Sequence, residues 1–195
     1  MTGGSGINHK GVCISMPTAW AIWQQAFVVG AQEVIMGKVG IVMGSKSDWE
    51  VVEPAFEILK DFSIETEVHI LSAHRCPEEV AAFASSAKES GFFVLIAAAG
   101  MAAHLAGALA ARTTLPVLGI PCRSNGSDGL DALYSTVNMP PGIPVGTVGI
   151  DNAKNAAYLA IEILALQDDE LAKKLEDFRN KEREKVLQAD KEINQ

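Results

Sequence analysis

From Lys38 onward, short apolar runs alternate with longer stretches of helical periodicity. That alternation leaves a chain few choices. A strand buried on both faces reads as a continuous apolar run, and a helix covering it reads as a single apolar stripe. The run 38–43 (KVGIVM) is the first strand and stops at Gly44. The stretch 49–62 follows, with Val52, Ala55, Phe56 and Leu59 on one helical face. Pro54 sits inside it without an amide donor, which predicts a kink or a late helix start. Residues 65–71 form the second strand, and 77–90 the second helix, with Pro77 suited to its first turn. The run 92–98 (FFVLIAA) is apolar on both faces, which predicts a central strand. A small-residue helix over 102–112, strands over 115–120 and 145–150, and an Ala-rich helix over 152–166 complete the pattern.

Strands separated by helices imply right-handed crossovers and a parallel sheet. The fold expected is α/β: a flavodoxin-like, doubly wound, parallel five-stranded sheet in three layers with a C-terminal helical extension. Ligands then bind at the carboxyl ends of the strands. Residues 169–194 read as a charged helix with pairs such as Glu170 and Lys174 at i, i+4. No strand remains for that helix to cover, so it packs on a neighbouring subunit or stands as a solvated tail. The organisation expected is 1–35 as an N-terminal extension without catalytic role, 36–168 as the catalytic α/β domain, and 169–195 as the C-terminal helix on a neighbouring subunit.

The chain has 195 residues, enough for one domain with a sizeable core. Its net charge of −8 argues against a nucleic-acid groove or an anionic membrane surface as partner. The apolar run 19–31 is too short to span a membrane and is broken by Gln24 and Gln25. Cys13, Cys76 and Cys122 are odd in number, widely spaced and outside any C-x-x-C pattern, which fits a reducing, cytoplasmic setting. A chain this acidic can still bind a phosphorylated metabolite, through a locally positive site.

The loops after the strands carry the chemistry. After the first comes Gly44-Ser45-Lys46-Ser47-Asp48. Gly44 permits a tight turn, Ser45 and Ser47 offer hydroxyls, and free amides at a helix start attract an anion. Asp48 reads first as an N-cap and second as an acceptor for ribose hydroxyls. After the second strand comes Ser72-Ala73-His74-Arg75-Cys76-Pro77. His74 suits proton transfer near neutral pH, and Arg75 suits a phosphate or carboxylate. Nothing nearby marks Cys76 as an activated nucleophile. The third loop, 98–107, is rich in small residues that let a flat ring approach the backbone, with His104 as a pocket or packing histidine. His69 lies within a strand and reads as structural. The fourth loop, 121–129, is polar and carries the cation Arg123. A proline-rich turn over 138–145 leads into the fifth strand.

In combination these segments resemble the PurE family, the 5-(carboxyamino)imidazole ribonucleotide mutases of class I type. The resemblance covers about residues 38–187 and rests on MGSKSDW at 43–49, SAHR at 72–75, AAHL at 102–105, GLDALYS at 129–135 and MPPGIPV at 139–145. It implies a homo-octameric isomerase of purine (IMP) biosynthesis, bound to its ribonucleotide substrate through the ribose phosphate, with no metal or organic cofactor. It implies His74 as the catalytic acid/base. Ser45, Ser47, Asp48, Ser72, Arg75, Gly100 and His104 are the candidate substrate-binding residues. Family members usually carry a second glycine where Met101 stands, a proline at Ala106 and a threonine at Cys76. The related aminoimidazole ribonucleotide carboxylases typically have lysine after the motif histidine, so Arg75 favours the mutase. A non-catalytic nucleotide-binding module is the alternative of a different class.

Overall fold

A computed structural model of the protein describes residues 37–124 and 126–194. The extension expected over 1–35 lies outside the described residues. Five parallel strands form one sheet: β1 (Lys38–Met43), β2 (Thr66–Ile70), β3 (Phe92–Gly100), β4 (Val117–Cys122) and β5 (Gly146–Thr147). Their order, β2-β1-β3-β4-β5, is the flavodoxin-like one, with the chain reversing its direction of travel between β1 and β3. β3 is central, as its two-faced apolarity predicts.

Alternation along each strand divides the core in two. Val39, Ile41 and Met43 point to one face with Val94, Ile96 and Ala98. There they meet α1 (Trp49–Asp61), α5 (Ala153–Ala165) and the first turns of α6 (Asp169–Ile193). Val42, Leu95 and Ala97 face the other way, toward α2 (Pro77–Ser86) and α3 (Leu105–Ala110). The short helix α4 (Leu130–Val137) joins that second layer, its Thr136 methyl lying over Gly119 of β4. Ile41, Leu95 and Ile96 are fully buried, each contributing about 1.5–3 kcal/mol relative to exposure.

Several details differ from the sequence expectation. The first helix begins at Trp49 with Pro54 well inside it, so there is no late start. The carbonyl that a residue 54 amide would have bonded belongs to exposed Glu50, where water can replace the lost donor. The predicted helix 102–112 shortens to Leu105–Ala110, because Met101 takes a left-handed backbone (φ 56°) and a turn intervenes. The fourth strand starts at Val117 and runs on to Cys122. The fifth shrinks to Gly146–Thr147, although Val148 still donates to the Gly119 carbonyl at 3.0 Å and Asp151 to the Pro121 carbonyl at 2.9 Å. The helix α4 has no counterpart in the sequence reading.

The helix α6 is partitioned. Leu171 and Leu175 are buried and Phe178 packs on the core, whereas Val186, Leu187 and Ile193 are exposed. Among the described residues, no helix is long and apolar enough to cross a membrane.

Candidate active site

Strand register sets the site. Met43 pairs with Ile70 on one side and Ala98 on the other, and Gly100 pairs with Cys122. The carboxyl ends of β1 to β4 therefore lie side by side, and their loops enclose an open cleft of about 1160 Å³. His74, Ser45, Ser47, Asp48, Ser72, Arg75, Gly100 and His104 all line it. The fold thus brings together every residue of the sequence-derived candidate set.

The first wall is the loop after β1. Ser45 caps a single turn of 3-10 helix over Lys46–Asp48. Its hydroxyl accepts from the Ser47 amide at 3.3 Å and from the Ser47 hydroxyl at 2.9 Å. The Asp48 carboxylate turns back to accept the Ser45 amide at 2.9 Å, closing a capping box. Asp48 precedes α1, but its side chain makes no capping bond to that helix. The simple N-cap reading is therefore replaced by a reciprocal brace of the loop. Burial pushes the Asp48 carboxyl above its ordinary value, against the lowering pull of the Ser45 amide, the Ser47 side chain and the Arg75 charge.

The second wall is SAHR. The Arg75 guanidinium donates to the Gly44 carbonyl at 2.7 Å, which carries its charge from the end of β2 to the β1 loop. One of its five N–H groups is spent there, and the fork keeps donors for an anion. Cys76 closes the turn: its thiol lies 3.3 Å from the Ser72 carbonyl, and the Ser72 amide lies 3.0 Å from its sulfur. A threonine hydroxyl could make the same local contacts.

The floor comes from β3. His104 is exposed, not packed in the core, and its Nδ1 lies 2.8 Å from His74 Nε2, with the rings edge to face. Such a contact is a hydrogen bond when one nitrogen carries a proton and the other is bare. Two side chains able to move protons therefore meet in the cleft that the small residues Ala99 and Gly100 also line. A Cβ on Gly100 would stand 3.2 Å from the Cys122 carbonyl, so the close approach of β4 favours glycine there. Burial, with Asp48 and Asp151 nearby, pushes the Cys122 thiol up to about 12 and keeps it protonated.

The last wall is the loop after β4. Arg123, Ser124, Gly126 and Asp128 line the cleft. None of these stands in the candidate set. The signal for Arg123 was its position at a strand end in a polar loop. His69 stands apart from the cleft, on β2, its ring 4.7 Å from that of Phe83.

Comparison with known proteins gives the family. Residues 38–185 match the AIR carboxylase family. The chain is 53% identical over 147 residues to the N5-carboxyaminoimidazole ribonucleotide mutase of Pyrococcus abyssi, covering 75% of this chain and 84% of that protein. It is 50% identical over 153 residues to the Escherichia coli K12 enzyme of the same name, covering 77% of this chain and 90% of that one. Treponema denticola PurE superposes with a TM-score of 0.73 at 31% identity, over 80% of this chain and 98% of that structure. With the family matched over residues 38–185 and about half the residues identical to these relatives across most of the chain, the chain belongs to the AIR carboxylase family.

Proposed function

We propose that this chain is an isomerase converting 5-(carboxyamino)imidazole ribonucleotide into 4-carboxy-5-aminoimidazole ribonucleotide in purine biosynthesis. The observation that carries the reading is the joining of His74 and Arg75 to opposite partners: the arginine to the Gly44 carbonyl, the histidine to His104. One residue serves the anion end of a ribonucleotide and its neighbour serves the ring. Ser45, Ser47 and Arg75 take the phosphate, and Asp48 takes the ribose hydroxyls. Ser72, Gly100 and His104 border the imidazole and carboxylate.

The chemistry needs one travelling proton. Protonated His74 gives it to the exocyclic nitrogen as the bond from that nitrogen to the carboxylate carbon breaks, releasing carbon dioxide. The ring carbon, an enamine-like nucleophile, then attacks the trapped carbon dioxide. His74 removes the proton from that ring carbon and is restored. Water must be kept from the trapped gas.

Assembly as a homo-octamer in the cytoplasm belongs to the same reading. Contacts between subunits are supported by apolar side chains left on the surface, Leu130, Tyr134 and Val137 along one face of α4 and Val186, Leu187 and Ile193 on the outer half of α6. The outer half of α6 is then the part that meets a neighbouring subunit.

The family's name also points to direct carboxylation of the aminoimidazole ribonucleotide, and one experiment separates the two. Purified protein given the carboxyamino ribonucleotide and labelled bicarbonate should form product with label entering slowly relative to turnover. Rapid labelling, or turnover only from the uncarboxylated ribonucleotide with bicarbonate, makes the chain a carboxylase. No turnover of either leaves a binding module.

A further inference from the structure

The cleft holds a second arginine that the motif residues do not include. Arg123 follows β4, on the far side of β3 from the strands that carry Arg75 and its Gly44 partner. Its side chain is largely exposed, but its backbone is anchored. Its amide donates to Asp151 Oδ1 at 2.8 Å, and its Nε lies 3.5 Å from Asp151 Oδ2. Asp151 itself stands in a left-handed backbone (φ 55°), which aspartate tolerates better than most L-residues. Its amide is tied to the Pro121 carbonyl at 2.9 Å. The opposite stem of the loop braces the same point. Gly129 (φ 85°) packs so closely that a Cβ there would lie 3.3 Å from Arg123 Cα and 2.7 Å from Ile150 Cγ2.

The geometry also says which part of the arginine is spent. Asp151 takes the backbone amide and approaches Nε. Among the described residues, neither Nη nitrogen of Arg123 donates a hydrogen bond to protein. Arg123 lines the cleft with its side chain largely exposed. Planar paired donors match a carboxylate. The chain as a whole carries a charge of −8, and Asp48 and Asp128 also line the cleft, so an anionic ligand depends on local cations.

We propose that Arg123, aligned by Asp151, binds the carboxylate of the ribonucleotide across the cleft from the phosphate-binding Arg75. Arg123 is the binding group and Asp151 a positioning residue. The proposal rests on the ribonucleotide reading above.

The test compares two ligands that share ribose phosphate and differ in the carboxylate: 4-carboxy-5-aminoimidazole ribonucleotide and 5-aminoimidazole ribonucleotide. Calorimetry on the full chain gives Kd for each with the native protein, Arg123→Ala, Arg123→Lys and Asp151→Asn. Arg123→Ala should weaken the carboxylated ligand about tenfold or more, the scale of one charge-assisted pair, and the uncarboxylated one less than about twofold. Lysine should recover part of the loss. Asp151→Asn, with circular dichroism unchanged, should show the same selectivity to a smaller degree, which a purely structural role would not produce. Equal weakening of both ligands, or no change in either, overturns the assignment while leaving the ribonucleotide reading intact. A native protein that binds neither ligand sinks both.

Discussion

Met101 offers a perturbation whose size follows from the backbone. Its φ of 56° is left-handed, and its side chain is 67% exposed at the edge of the cleft. An L-residue with a Cβ loses about 1–2 kcal/mol in that conformation, and glycine loses almost none. Because the side chain is mostly in water, removing it forfeits little burial. Glycine also loosens the unfolded chain, which offsets the gain by about 0.4–1 kcal/mol. Met101→Gly should therefore stabilise the fold by somewhat under 1 kcal/mol, raising Tm by about 2 °C for a domain of this size. Met101→Ala keeps the Cβ and hence the strain, so its Tm should move by less than about 1 °C. Thermal unfolding followed by circular dichroism reads both. A fall in Tm for the glycine variant, or a rise as large for alanine, would show that the methionine side chain contributes contacts outweighing the strain, and the argument from φ would be refuted.

His74→Asn should preserve ligand binding and lower turnover by about 10²-fold or more, since general acid–base catalysis is of that size; near-native turnover removes His74 from the mechanism. Gly119→Ala should destabilise by about 2–3 kcal/mol in urea titration, because the new Cβ would lie 2.3 Å from the Thr136 methyl under a well-packed helix; an unchanged midpoint means α4 moves freely. Asp48 has a folded-state carboxyl raised by burial, so its charge costs stability above that raised value and nothing below the ordinary value of 3.8. Asp48→Asn should accordingly be slightly more stable than the native chain at pH 7, with the gain disappearing as pH falls through that window; a gain that persists or grows in acid contradicts the sign.

The strands were legible because a sheet covered on both faces writes itself as unbroken apolar runs, as in β3. The edges of elements were less so. Pro116 cannot donate to a ladder, so β4 begins at Val117, later than its apolarity suggests, although the Pro116 carbonyl still accepts from Leu95 at 3.0 Å. The helix α4 is not legible in the sequence because its buried face is only Ala132 and Thr136, while Leu130, Tyr134 and Val137 look outward. A stripe of small residues over Gly119 does not stand out in a sequence. The motif residues of the cleft were readable as loop ends. The Arg123–Asp151 pair was not, since 28 residues separate its members and a left-handed aspartate has no sequence signature.

That last case is general to this cleft. Arg75 meets Gly44 across 31 residues of chain, and His74 meets His104 across 30. None of these contacts is local, so each is a product of strand register. A one-residue slip of β2 against β1 would turn the Met43–Ile70 pairing aside and carry SAHR away from both its partners. Loops of this kind are free to vary in composition only while the sheet beneath them is fixed. The core therefore serves the chemistry by holding strand ends level, and stability and turnover are coupled through it. Substitutions that disturb β1–β3 or β3–β4 packing should lower both together. Changes confined to Arg75, His74 or Arg123, which are exposed, should alter binding or turnover with the fold left in place.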